Sequence, residues 1–270
     1  MNINQELSFS WVLFKSPKPN ISKAEIWSLY NSTSNEVKKL LCLVDLLKIG
    51  DFSAKEELSK LMLITSSSEF RKLSSQIFCC VANHSDIKIL EEYLEGISQK
   101  ENEEELEDEL QDLVLFSIYT LSPKIIPVWL DVLDEWEGEL ENSIKSSLAF
   151  LCPGIDTFSE KISLEEIREY YTEKCMEFGD KAYIFEGKPA FPGDLTKKLL
   201  ERAASARYLG EPLQQTHIPT LLSLWSGIEC PAYFLTQIDD KKMEELFEYV
   251  KQLTSMQWEK GCKYFFGQKV

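Results

Sequence analysis

Carboxylates are the side chains of this sequence with the clearest capacity for chemistry, and they are crowded into one stretch. The segment ENEEELEDELQD, residues 101–112, contains eight carboxylates and no base. Carboxylates can serve as general acids or bases, and a dense cluster attracts cations and basic proteins. Carboxylate pairs are so abundant here that many acid–base pairs could be proposed by chance. The presence of such a pair therefore does not indicate catalysis.

The spacing of these acids is unfavourable for a helix. Residues four apart lie side by side, and each like-charged pair costs about 0.2–0.5 kcal/mol. A cap at Asn102, paired with Glu105, together with the helix dipole, explains the acids of the first turn. It does not explain the acids beyond that turn, which are Glu107, Asp108, Glu109 and Asp112.

A second acidic run, DVLDEWEGELE, follows at residues 131–141, and residues 101–141 together carry −13 of the net −16 charge. If the two runs lie on successive helices, their carboxylates share one ridge. Two interpretations stay open: a solvated charged face, or a docking surface for a basic protein. Trp129 and Trp136 fit either a buried stripe or a binding hot spot. The candidate partner-binding residues are Glu104, Glu107, Asp108, Asp112, Asp131, Asp134, Glu135 and Trp136.

Other sources of chemistry are scarce in the sequence. The two histidines, His84 and His217, lie in different segments, and there is no HExxH, CxxC, GxGxxG, GxxxxGK[ST] or GxSxG motif. We therefore predict no catalytic residue, no metal site and no cofactor.

The elements that must position the acids are predicted to be helices. Apolar residues recur at helical spacing, as in Leu106, Leu110 and Leu113, and the best strand candidate is the short KAYIFEG at 181–187. Helical pairs recur at offsets of 33 to 39 residues, which favours an all-α, irregular HEAT-like array of helical hairpins, an α-solenoid. An irregular helical bundle is the alternative. We predict a single domain, 1–270, that becomes richer in loops from about residue 152.

Charge and cysteine usage limit the cellular setting. A net charge of −16 opposes binding to nucleic acid and to anionic membranes. The seven cysteines are irregularly spaced and lie mostly in apolar helical contexts, as expected for reduced thiols. The sequence shows no secretory signal pattern and no apolar stretch of membrane-spanning length, so we expect a cytoplasmic protein.

Two C-terminal segments, LGEPLQQTHIPTLLSLWSGIECPAYF at 209–234 and WEKGCKYFFG at 258–267, resemble the all-helical bacterial immunity proteins of polymorphic and contact-dependent toxin systems. Gly227, Pro231 and residues 264–267 prompt the comparison, although their residue types indicate turns and helix docking. The resemblance implies a cytosolic antidote, without catalytic activity, that binds a toxin and blocks it.

These observations lead to a hypothesis of function. We predict an immunity protein whose acidic helical surface binds and occludes a basic toxin domain, because many toxins are nucleases that must be basic to hold phosphate. The alternative is a helical-repeat scaffold or adaptor with no toxin partner. An enzyme is a third possibility, and it would require a deep pocket with several convergent polar groups.

Overall fold

The computed structural model describes residues 8–15, 20–65, 67–98 and 103–270. Its helices are α1 Lys23–Ser32, α2 Glu36–Lys48, α3 Ala54–Ile64, α4 Ser68–Val81, α5 Ile87–Ser98, α6 Glu103–Ser117, α7 Ile125–Glu135, α8 Glu139–Leu151, α9 Leu164–Phe178, α10 Pro192–Leu209, α11 His217–Ser226 and α12 Asp240–Thr254. A π-helical turn at Trp11–Lys15 precedes them, and a 3₁₀ turn at Ile118–Thr120 follows α6. The all-α prediction is confirmed.

Several helices between α2 and α9 pack against the next helix but one along the chain. The helices α2, α4, α6 and α8 contact one another in series, while α3 packs against α5 and α7 against α9. Consecutive helices such as α2 and α3, or α7 and α8, also contact each other. This packing places the acidic helix α6 between α4 and α8. The HEAT-like character of the repeats and the single-domain organisation stay predictions.

Short polar residues set where several helices begin. Ser22 and Ser163 each form a capping box, with Glu25 and Glu166 respectively, so that two backbone donors of the first turn are satisfied. The helix α10 begins at Pro192 instead of after a polar cap. Proline suits the first position of a helix, because the N–H that it lacks would have no partner inside the helix.

The core is one cluster of buried apolar side chains that extends from Val12 to Phe266. Trp129, on α7, is almost fully buried and donates a hydrogen bond from its indole Nε1 to Ser117 Oγ at 2.7 Å. Its buried role agrees with the helical stripe in the sequence, and the hydrogen bond satisfies the one polar atom of the ring. Trp136, immediately after α7, is only partly buried.

Two short β-hairpins lie in the C-terminal half. The strands β1 Ile184–Phe185 and β2 Lys188–Pro189 pair antiparallel, as do β3 Tyr264–Phe265 and β4 Gln268–Lys269. The first hairpin confirms the strand candidate at 181–187. No pattern in the sequence predicted the second hairpin. Among the described residues, no helix is long and apolar enough to cross a membrane.

Candidate functional site

One carboxylate of the acidic helix α6 points into the interior of the protein. The side chain of Glu109 is buried and accepts hydrogen bonds from Arg71 at 2.8 Å and from Ser68 at 2.7 Å, both on α4. An ion pair that is shielded from solvent holds the two helices in a fixed register, because separating the charges would leave one of them buried without a partner. Glu109 therefore has a structural role and is not available to a partner.

A second α4 base offsets two of the predicted contact residues. Lys72 forms ion pairs with Asp108 and, at 3.5 Å, with Asp112. Burial raises the pKa of Asp112, and the nearby lysine acts in the opposite direction. The negative potential of this part of α6 is thus lowered by a cation of the protein itself.

The acids of α7 are also partly neutralised. Arg168, on α9, forms ion pairs with Asp134 and, at 3.5 Å, with Asp131, and it donates to the Leu130 carbonyl at 3.1 Å. Both carboxylates remain half or more exposed. They can therefore face solvent and a partner while they are tied to α9.

A surface groove lies beside these pairs, where α5, α6 and α7 meet. Its volume is about 400 Å³. Apolar side chains form its walls and carboxylates form its rim, and the lining residues are Leu94, Glu95, Leu110, Asp131, Val132, Glu135 and Trp136. We call this site the acidic groove. It brings together three of the predicted contact residues, Asp131, Glu135 and Trp136.

Two carboxylates at the rim of the acidic groove carry open charges. Within the described part of the chain, no lysine, arginine or histidine forms an ion pair with Glu95 or Glu135, and both residues are exposed. Glu107, exposed on the neighbouring α6, is likewise without a cationic partner among these residues. Two open carboxylates, Glu95 and Glu135, therefore lie beside the apolar walls of the groove.

Two parts of the predicted ridge cannot be placed. Glu101 and Asn102 lie outside the described residues, and so does the side chain of Glu104, although α6 itself includes position 104. Sequence reasoning did not identify Leu94 and Glu95 as site residues, because α5 reaches the groove only through tertiary packing. It also did not identify Lys72 and Arg168 as the cations that offset the acids.

The two histidines lie in separate packed environments. His84 Nδ1 lies 2.7 Å from Ser122 Oγ and its ring stacks on Tyr183, while His217 packs among the rings of Tyr119 and Phe150. Burial lowers the pKa of each imidazole to about 4, so both are neutral at physiological pH. Among the described residues, no group of three or more His, Cys, Asp or Glu side chains could hold a metal ion.

The fold and the site define an all-α protein with an acid-rimmed apolar groove on its surface. The sequence of residues 11–270 matches the family model of Immunity protein 47, and the chain belongs to that family. Membership assigns an immunity function and a cognate toxin as the partner, and such proteins generally act without catalysis. No curated protein and no solved structure matches the chain.

Proposed function

We propose that this protein confers immunity by binding a basic toxin domain at the acidic groove and covering the surface with which the toxin holds its target. The observation that carries the proposal is the groove itself, in which apolar walls lie beneath the open carboxylates of Glu95 and Glu135. The charged end of a lysine or arginine from the toxin would pair with a carboxylate, and its aliphatic stem would pack against the apolar walls.

Long-range attraction brings the toxin to the groove. The net charge of −16 gives the molecule an overall negative field, and the open carboxylates of Glu95 and Glu135 add to that field at the groove. Complementary charge raises association rates to about 10⁸–10⁹ M⁻¹s⁻¹ at low salt. Rapid binding suits an antidote that must reach the toxin before it acts.

Short-range contacts then hold the toxin in place. Leu94, Leu110 and Val132 offer apolar surface to the aliphatic stem of a lysine or arginine, while the rim carboxylates accept from its charged end. Trp136 is partly buried and lies at the groove, where an indole ring can stack on a guanidinium group. Tryptophan and arginine are enriched at binding hot spots, which supports Trp136 as an anchor.

The predicted contact residues do not contribute equally to this proposal. Glu107, Glu135 and Trp136 face the toxin directly, and Asp131 and Asp134 do so while they pair with Arg168. Asp108 and Asp112 contribute less, because Lys72 offsets their charge. The proposal adds Glu95 to the predicted set.

The proposed partner is a toxin that holds an anionic target. A toxin that cleaves nucleic acid must present lysines and arginines to phosphate, and a complementary acidic groove would cover these residues. The same charges that attract such a toxin disfavour nucleic acid and anionic membranes as ligands of this protein. We propose that the encounter takes place in the cytoplasm, where such a target lies.

A charge-reversal experiment tests the proposal. In the double variant Glu95→Lys/Glu135→Lys, the association rate with the cognate toxin domain, sought among the products of neighbouring genes, should fall at least tenfold at low salt. The matched control is Glu244→Lys/Glu248→Lys on α12, which changes net charge equally on exposed positions away from the groove. Stopped-flow measurements of both variants give the rates.

The control separates local from global charge. We expect the control to slow association far less than the groove variant does, and cells that produce the toxin to lose protection only with the groove variant. Equal association rates for the two variants would contradict a docking role for the groove.

A further inference from the structure

The two β-hairpins repeat one geometry at positions eighty residues apart. Glu186 and Gly187 form the first turn with φ of 50° and 71°, and Phe266 and Gly267 form the second with φ of 50° and 80°. Positive φ at both central residues is the type I′ turn that suits a two-residue hairpin loop. In sequence, Phe185 corresponds to Phe265, and the two turn glycines correspond to each other.

Each hairpin turn caps the carboxyl end of a helix in the same way. The backbone N–H groups of Glu186 and Gly187 donate to the carbonyls of residues 150 and 151, at 3.2 and 2.7 Å, at the end of α8. Those of Phe266 and Gly267 donate to the carbonyls of residues 224 and 225, both at 2.7 Å, at the end of α11. The last carbonyls of a helix have no partner inside it, and the turns supply one.

The helices before the hairpins repeat as well. The helices α9 and α12 each contain 15 residues, and Ser163 and Asp239 cap them through side-chain oxygens. A Cys-Pro pair precedes both helices, at 152–153 and at 230–231. Residues 139–190 and 217–270 therefore form two copies of one helix–helix–hairpin unit.

The second copy makes a contact between residues that are 184 positions apart in the chain. Lys263, fully buried, donates from Nζ to the carbonyls of Cys79 at 2.9 Å and Ala82 at 2.8 Å, at the carboxyl end of α4. Its counterpart in the first copy is Tyr183, which stacks on His84 just beyond α4, with ring centroids 4.2 Å apart. Both hairpins thus reach the same end of α4.

A buried lysine is costly, so its contacts must compensate. Burial lowers the pKa of Lys263 to about 7, while the neighbouring thiols of Cys79 and Cys80 act in the opposite direction. The helix dipole places negative charge at the carboxyl end of α4, which favours the ammonium group there. An apolar side chain could fill the space but could not satisfy the two carbonyls.

The same hairpin also contacts the end of α2. Lys48 Nζ lies 5.3 Å from the ring centroid of Phe266. The side chain of Gln268 approaches Gly50 so closely that a Cβ there would lie 3.1 Å from it. The last residues of the chain therefore pack against the carboxyl ends of α2, α4 and α11.

We propose that residues 261–270 act as a clip, the second hairpin of a duplicated helix–helix–hairpin unit, which holds the carboxyl ends of α2 and α4 in register with the C-terminal helices. The clip keeps the N-terminal half ordered from a position almost two hundred residues away. The first hairpin caps α8, reaches the end of α4 through Tyr183 and is hydrogen-bonded to Gly261 of the clip. It has no contact with α2 among the residues that the structure describes.

The duplication provides a matched pair of variants, Gly267→Ala and Gly187→Ala. At 187 an added Cβ meets no atom within 4 Å, and at 267 it meets only Met256 at 3.4 Å, so both variants act through backbone strain. A left-handed alanine costs enough to speed local opening about fivefold to thirtyfold. Hydrogen–deuterium exchange of the full chain is the measurement.

The clip predicts different patterns of exchange for the two variants. Gly267→Ala should speed exchange at the ends of α11, α2 and α4, whereas Gly187→Ala should speed it at the end of α8 and leave α2 unchanged. If Gly267→Ala affected only α11 and the hairpin itself, the proposal would be overturned.

A lysine pair provides the second test. Lys263→Met removes the two hydrogen bonds to α4, and Lys269→Met, an exposed residue on the same hairpin, is the control. We expect Lys263→Met, but not Lys269→Met, to speed exchange at the end of α4. If Lys263→Met fails to fold while Lys269→Met folds, the result also supports the clip. A folded Lys263→Met protein with wild-type exchange at α4 overturns it.

Discussion

Two groups of carboxylates on neighbouring helices have different surroundings in this protein. On α6, Glu109 meets Arg71, and Asp108 and Asp112 meet Lys72. Around the acidic groove, Asp131 pairs with Arg168, whereas Glu95 and Glu135 meet no cation among the described residues. The density of acids in a sequence therefore does not give the potential at the surface, because the bases that fold against each acid decide how much charge stays open.

The comparison explains why α6 tolerates its like-charged neighbours. Each such pair costs an isolated helix about 0.2–0.5 kcal/mol. In the folded protein, Arg71 and Lys72 of α4 lie against the acids and offset this repulsion. The acidic run thus contributes partly to helix packing, and the docking that we propose is assigned to the groove beside it.

The largest effect is expected from the buried pair. Glu109→Ala leaves Arg71 largely buried without its carboxylate, which should lower the free energy of unfolding by about 3–5 kcal/mol. Urea denaturation measures this loss, and Glu107→Ala, on the exposed face of the same helix, is the control. Similar stability losses in the two variants would contradict a structural role that is specific to Glu109.

A smaller effect is expected from the anchor of the groove. Trp136→Ala should weaken toxin binding by about 2 kcal/mol, close to thirtyfold in the dissociation constant, because the ring offers apolar area to the partner. Calorimetric titration gives the constant, and Trp27→Ala, a partly buried indole on α1, is the control. A folded Trp136→Ala protein with an unchanged dissociation constant would contradict toxin docking at the groove.

The smallest effect is expected from Asp112. Because burial raises its pKa above the ordinary 3.8, the folded state holds the proton to higher pH than the unfolded state, and stability falls as pH rises through this interval. Asp112→Asn removes this slope and changes stability by less than about 1 kcal/mol. Urea midpoints from mildly acidic to neutral pH measure the slope.

Association with the toxin provides the companion measurement for Asp112. The rate should hardly change in Asp112→Asn, since Lys72 already offsets this charge. A loss of rate as large as that of the groove double variant would place Asp112 among the docking residues.

The sequence was informative wherever local chemistry sets the structure. Helical periodicity predicted the helices that contain Leu110 and Trp129, and KAYIFEG predicted a strand. The second hairpin was missed because its aromatic run, YFF at 264–266, also fits a docked helix end. Turn formation there depends on positive φ at Phe266, an unusual residue for it.

The site was predicted only in part, for a physical reason. Acids at 131–136 could be identified from composition alone, and the groove contains three of the eight residues that we predicted. The contribution of α5 could not be identified, since Leu94 and Glu95 reach the groove through packing between distant segments. Which acids are neutralised depends on Lys72 and Arg168, whose partners are 34 to 40 residues away in sequence.

Zero-length carbodiimide cross-linking of the complex with the cognate toxin tests the central claim most directly, because it joins a carboxylate to a lysine only where the two are in contact. Mass spectrometry of the products should identify cross-links from Glu95, Glu107 and Glu135 to toxin lysines. Cross-links found only on other exposed acids, such as Glu165 of α9 or Glu244 of α12, with the groove carboxylates unmodified, would contradict docking at the acidic groove.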